Sequence, residues 1–301
     1  MAPIWWLVRN LAAAHRLGYT RRMEWWQALV LGVVEGLTEF VPVSSTGHLI
    51  LTGAWLGLDA TEAQKAAVDA FDIVIQAGAW LACCLFYFRY VGTRLMGVLS
   101  DDIVQAAAGW RLIFNLMVAF VPVMVIGLLF RKAIKAVLFG PMPVAVALAV
   151  GGVVMLIADR LRRDDAVDDL DQMTLRQAMV IGFAQCFALI PGTSRSMSTI
   201  IGGMAAGLSA KAAADFSFLL AIPVLGAATG YELLKEWHVM SAHIGWVAMV
   251  VGLTASFVIG WASIAVFLRI IVAKGLAPFG LYRIALAAVV WWTLLRDVPL
   301  T

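Results

Sequence analysis

The sequence predicts an all-α, polytopic membrane protein. Three observations lead there: 62% of its 301 residues are hydrophobic and only 14% are charged, the mean hydropathy is +0.91, and the apolar residues run in long blocks. A soluble domain carries about a quarter of its residues as charges. A helical run of about 18 or more apolar residues crosses about 30 Å of hydrocarbon, with its backbone satisfied internally.

Six stretches meet that description: 70–88, 111–130, 139–158, 212–231, 244–268 and 278–295. Basic residues bracket several of them, including Arg89 and Arg94, Arg111, Arg131 with Lys132, and Arg269 with Lys274. They flank spans on both sides, so charge alone does not fix orientation. The twelve tryptophans suit interfacial belts. The net charge of +3 comes with no nucleic-acid signature. Cys83, Cys84 and Cys186 lie in apolar stretches without metal spacing and read as packing residues.

Residues 1–22 hold a short apolar piece followed by Arg9, Arg16, Arg21 and Arg22, without a signal-peptide h-region. This predicts a basic interfacial extension, with Met23 as an alternative start. Residues 23–301 then form a single integral membrane domain. Within it, the mixed-charge segment 159–171 (DRLRRDDAVDDLD) reads as a solvated loop between two halves.

Two blocks, 25–58 and 174–208, are apolar but broken in the middle by proline, glycine and hydroxyl residues. Non-helical backbone at membrane depth is tolerated where protein buries it or a wet cavity receives it. Both blocks therefore predict re-entrant helix-turn-helix hairpins. They also resemble each other. LGVVEGLTEFVPVSSTGHLI starts at Leu31 and IGFAQCFALIPGTSRSMSTI at Ile181; Glu35 aligns with Gln185 at an offset of 150, while Pro42 and Ser45 align with Pro191 and Ser194 at 149. Three spans between the hairpins and three after the second make an inverted repeat, about 24–158 and 174–301. Such folds place a site at the repeat interface, built from broken helices.

The hairpins carry the chemistry. Glu35 and Glu39 are four residues apart and share a helix face. Ionisable groups inside a membrane are functional-site candidates, and a carboxylate pair is tolerated there by sharing a proton or a divalent cation. In PVSSTGH, Pro42 ends one helix, Gly47 lets the chain turn, Ser44, Ser45 and Thr46 offer hydroxyls, and His48 follows. A helix N-terminus of this kind caps itself and binds anions. In PGTSRS, Gly192, Thr193, Ser194 and Ser196 repeat the device, and Arg195 adds a guanidinium whose fork suits phosphate. Hydroxyl-rich helix starts, an arginine, a carboxylate pair and a histidine together describe phosphoryl transfer on a diphosphate. Within the bilayer, the substrate is a lipid whose headgroup enters sideways.

Asp72 and Gln76 in the first span either line the site or glue helices. Gln185, the symmetry mate of Glu35, can donate to substrate. His238 and His243 are expected in a solvated loop. The competing class is a transporter for a polyprenyl phosphate or another anion, which has no use for the SST cluster beside His48.

EGLTEFVPVSSTGH, PGTSRS and FSFLLAIP resemble the signature motifs of the undecaprenyl-diphosphatase family, linked to bacitracin resistance, from about residue 24 to the C-terminus. The resemblance implies hydrolysis of undecaprenyl diphosphate, which recycles the lipid carrier of cell-wall synthesis. It implies an inner-membrane location with the site facing the periplasm, and a divalent cation, Mg²⁺ or Ca²⁺. It assigns catalysis to Glu35, Glu39, Ser45, His48 and Arg195, with the two glutamates as metal ligands. The nucleophile is either Ser45 assisted by His48 or a metal-activated water. Homodimerisation is left open. One position departs from the family pattern: Met197 stands where glycine is usual, and it is expected to be harmless unless the turn needs φ > 0 there.

Overall fold

The computed structural model describes residues 23–58, 62–138, 141–163 and 165–295. The expected extension at 1–22 lies outside the described residues. Eleven α-helices are present among the described residues. Helices α1 (Trp25–Thr38) and α2 (Ser45–Trp55) form one hairpin; α7 (Leu175–Cys186) and α8 (Arg195–Ala205) form the other. Between them lie α3 (Glu62–Phe86), α4 (Phe88–Gly97), α5 (Ile103–Leu138) and α6 (Pro141–Arg160); α9 (Ala210–His243), α10 (Trp246–Lys274) and α11 (Ala277–Leu295) follow.

Among the described residues, five segments are long and apolar enough to span: Lys65–Phe86, Ile103–Phe130, Met142–Arg160, Ala210–Lys235 and Trp246–Lys274. The stretch expected as a sixth span forms α11, but its apolar part, Ala277–Trp292, is shorter than the others. The chain is therefore a multi-pass membrane protein with five candidate spans. Its outer surface fits that solvent, because Phe130, Leu128, Val150, Val258 and Leu281 are all exposed, far more apolar surface than a water-soluble monomer tolerates. The short helix α4 was not foreseen. His238 and His243, expected in a loop, belong to α9, because the helix runs on past its apolar core.

The 159–171 segment is tethered more tightly than a free loop. Val167 makes an isolated parallel bridge with Leu208, Asp168 accepts from Ser209 Oγ at 2.5 Å, and Arg94 pairs with Asp171 at 2.6 Å.

Both hairpins begin with the same device. Glu24 and Gln27 form a capping box at the start of α1, as Thr174 and Gln177 do for α7. Each box satisfies amides that helix geometry leaves without partners. Each hairpin then packs its first helix on a long helix of the other half: α1 on α10, and α7 on α5. Glycine permits the approach. A Cβ at Gly36 would come within 2.8 Å of Gly260 N and Ser256 O, and one at Gly182 within 2.7 Å of Ala119 O. Small residues in such contacts let membrane helices meet backbone to backbone. Helices α6 and α11 pair likewise, with a Cβ at Gly152 meeting Gly280 O at 2.7 Å. The core closes around the turns with Phe40 edge-on to Phe218 at 5.4 Å, and Phe218 against Phe267 at 5.7 Å.

Candidate active site

The two turns have the same backbone. Ser44 and Ser194 are the N-caps of α2 and α8, at φ 75° and 77°, the only non-glycine positive φ angles among the described residues. Each costs about 1–3 kcal/mol of local strain, offset by capping: Ser44 Oγ accepts from Gly47 N and Ser194 Oγ from Met197 N, both at 3.3 Å. Each cap's carbonyl also receives a side chain four residues on, from His48 Nδ1 at 2.7 Å and Ser198 Oγ at 3.0 Å. Ser44 therefore corresponds to Ser194, and the expected pairing of Ser45 with Ser194 is corrected. The offset is 150 at the capping boxes, at Glu35 and Gln185, and at the caps; only the prolines slip, because the second turn carries an extra residue between proline and cap. Ser45 thus corresponds to Arg195, each the first residue of its helix.

These two first residues meet at one carboxylate. Ser45 Oγ donates to Glu39 Oε2 at 2.6 Å, and Arg195 Nη2 donates to Glu39 Oε1 at 3.2 Å. Arg195 and Glu39 are nearly buried, with side chains 10% and 6% exposed, so salt screens the pair little, and removing either partner would strand a buried charge. Arg195 Nη1 donates to the carbonyl of Ser217 at 3.0 Å, and its guanidinium lies 6.0 Å from the Phe40 ring centroid. Nε has no partner. The FSFLLAIP motif thereby acquires a use. Ser217 is fully buried, steadies Arg195 through its carbonyl, and joins Thr199 through its hydroxyl at 2.6 Å.

The remaining expected residues divide. Ser196 is buried and donates to Val41 O at 3.2 Å, stitching the second turn to the first. Glu35 and Gln185 are both about 1% exposed, and the polar atoms of both side chains are without hydrogen-bond partners. Thr46 is exposed and Thr193 half-buried, each beside a helix start whose first amides lack helical acceptors. Gly192 sits at φ 88°. Asp72 has one buried, unpartnered oxygen, and Gln76 accepts from Thr229 at 3.1 Å.

His48 is not on Ser45. Its Nδ1 meets a carbonyl, which only accepts, so Nδ1 carries the proton; Nε2 then accepts from Tyr282 Oη at 2.7 Å. The rings stack with centroids 5.7 Å apart. Met197 does not strain the turn. It lies in the first turn of α8 with ordinary helical φ, buried beside Gly151.

Sequence reasoning missed Tyr282, Arg283 and the roles of Ser217. The signal for Arg283 was a lone basic residue within an apolar stretch. Its side chain is fully buried and donates to Pro42 O at 3.2 Å and Gly192 O at 2.8 Å.

This is a multi-pass helical membrane protein in which a buried carboxylate joins a partly buried serine and arginine across two strained helix starts, the kind of arrangement whose amides and guanidinium suit an anion. The sequence matches the family described as Bacitracin resistance protein BacA over residues 28–289. Among curated proteins it is 53% identical to an undecaprenyl-diphosphatase of Sorangium cellulosum, covering 90% of this chain and 86% of that one. It is 46% identical to undecaprenyl-diphosphatase 1 of Chromobacterium violaceum, covering 88% and 96%, and 48% identical to undecaprenyl-diphosphatase 2 of Rhodospirillum rubrum, covering 88% and 93%. The chain belongs to the BacA family.

Proposed function

We propose that this chain hydrolyses undecaprenyl diphosphate to undecaprenyl phosphate and inorganic phosphate, returning the lipid carrier to envelope-polymer synthesis. One observation carries the chemistry: Ser45 and Arg195, both partly buried, meet at the buried carboxylate of Glu39, where two helix starts come together. It supports the activity for which relatives about half identical to this chain are named.

Arg195 and the first-turn amides of α2 and α8 hold the diphosphate. Ser45 Oγ attacks the terminal phosphorus and its proton passes to Glu39 Oε2. The Oγ–P bond forms and the bridging P–O bond breaks, leaving its electron pair on undecaprenyl phosphate. Water then attacks the phosphoserine, replacing the Tyr282 hydroxyl at His48 Nε2 and giving one proton to that nitrogen. The Oγ–P bond breaks, Ser45 regains its proton from Glu39, and phosphate leaves. His48 afterwards releases the extra proton to solvent. Direct attack by water is the competing form, and it leaves no phosphoserine.

Among the described residues no group of three His, Cys, Asp or Glu side chains is close enough to form a metal cage. A hard cation that keeps waters and substrate oxygens needs only one or two carboxylates. The unpartnered oxygens of buried Glu35, one turn from Glu39, fit that requirement. Glu35 and Glu39 would hold Mg²⁺ or Ca²⁺. When bound, the cation supplies charge neutralisation at phosphate oxygens.

The capping boxes, the paired serine caps and the reciprocal packing of α1 on α10 and α7 on α5 support an inverted repeat of two re-entrant hairpins. The turns face the periplasm in this reading. Labelling of Thr46→Cys by an impermeant maleimide from the outside tests that orientation, and labelling only from the cytoplasmic side refutes it. The activity is tested by incubating the purified protein with undecaprenyl diphosphate. Undecaprenyl phosphate and phosphate in equal amounts are expected; unchanged lipid with a well-folded protein overturns the assignment.

A further inference from the structure

We infer that Arg283 is a positioning residue: its guanidinium fixes the separation of the two serine-capped turns and so sets the geometry of phosphoryl transfer. This rests on the proposed function, since it takes the turns to be the diphosphate site.

Arg283 lies on α11, far from both hairpins in sequence, yet it is fully buried. It donates from Nη1 to Pro42 O at 3.2 Å, and from Nη2 to Gly192 O at 2.8 Å and Ala147 O at 2.9 Å, with a longer bond from Nε to Leu148 O at 3.4 Å. All four partners are backbone carbonyls. They come from the first turn, the second turn and α6. Pro42 and Gly192 each stand two residues before their serine cap, at the same offset of 150 that relates Ser44 to Ser194. The guanidinium therefore ties together equivalent points of the two turns.

A buried cation is costly, and carbonyls satisfy its hydrogen bonds without cancelling its charge. If tying helices together were all that was needed, the small-residue contacts between α6 and α11 already supply it. What remains is the rigid fork of arginine, which can hold two carbonyls at a fixed spacing; a single ammonium on a flexible stem does not. The surroundings keep the fork in place. A Cβ at Gly151 would run into Nη2 and would lie 2.8 Å from Met197 Sδ. Glycine at 151 makes the room, and Met197 fills what is left.

The test uses the full chain in detergent with undecaprenyl diphosphate, comparing wild type with Arg283→Lys and Gly151→Ala. Gly151→Ala keeps the charge but pushes the fork aside. Orthovanadate, a mimic of the pentacoordinate phosphoryl group, is titrated as inhibitor. For Arg283→Lys, kcat is expected to fall about 100-fold, as a misplacement near 1 Å does, while KM stays within about threefold because the binding anchors remain. The vanadate Ki should rise in step with the loss of kcat, and Gly151→Ala should move both in the same direction. A merely structural role lowers the active fraction and leaves Ki and the KM of the surviving enzyme unchanged; that result overturns the inference. So does kcat within about threefold of wild type in both variants. If Arg283→Lys fails to fold, Gly151→Ala decides alone. An inactive wild type refutes the proposed function itself and takes this inference with it, whereas an active wild type with unaffected variants refutes only this inference.

Discussion

Gly36 is the contact through which a distant helix controls the site, and Gly36→Ala should reveal it. The residue lies between Glu35 and Glu39 on α1, facing α10. An added Cβ would sit 2.8 Å from Gly260 N and Ser256 O and 2.9 Å from Ile259 Cβ, whereas ordinary contact begins at 3.4 Å. Two of those neighbours are backbone atoms, so α1 must withdraw by about 0.6 Å. Overpacking of this kind costs about 1–3 kcal/mol. The same shift carries Glu39 away from Ser45 and Arg195. Since a misplacement near 1 Å costs about 100-fold in rate, roughly tenfold is expected here. The assay is phosphate release alongside thermal denaturation in detergent. Gly92→Ala is the control, because nothing lies within 4 Å of the added Cβ; in a helix interior it should gain about 0.5–1 kcal/mol. Gly36→Ala with wild-type kcat and wild-type melting would refute the idea that this close approach positions the carboxylates.

Other expectations follow from the same geometry. Ser45→Ala should lose about 1,000-fold or more in kcat, and acid-quenched wild type should carry phosphate on Ser45; full activity in Ser45→Ala would eliminate the serine as nucleophile. His48→Gln should slow the second step and let that phosphoserine accumulate, seen by mass spectrometry; a slow enzyme with no accumulated phosphoserine counts against the role. Glu35→Gln removes an unpartnered buried carboxylate, so the protein should melt no lower than wild type while its activity loses dependence on added Mg²⁺ or Ca²⁺. Unaltered cation dependence would take Glu35 out of the ligand set.

Much of this organisation was legible because the chemistry interrupts the hydrophobicity. Glu35, Glu39 and Arg195 are conspicuous inside apolar blocks, and Pro42 and Pro191 mark the breaks. The paired hydroxyl clusters pointed to the likeness of the two turns, though not to its register. A one-residue slip at the prolines hid the match of Ser44 to Ser194, which their shared positive φ and capping bonds expose. Two kinds of feature stayed hidden. Ser217 acts through its carbonyl, which no side-chain pattern reports. Arg283 and Tyr282 come from a helix that reads as one more apolar stretch, and only tertiary packing brings them to the turns. His48 looked placed for Ser45, three residues away on the same helix. Yet the carbonyl of the cap takes its Nδ1, and Glu39 takes the serine hydroxyl instead.

Phosphate release from undecaprenyl diphosphate, measured with Mg²⁺ or with EDTA for wild type, Glu39→Gln and Arg195→Ala, tests the central claim most directly. Both Ser45 and Arg195 bond to the carboxylate of Glu39. Cation-dependent release by wild type, lost in both variants while they remain folded, is the predicted result. Release that survives in either variant, or a folded wild type that leaves the diphosphate intact, would contradict it.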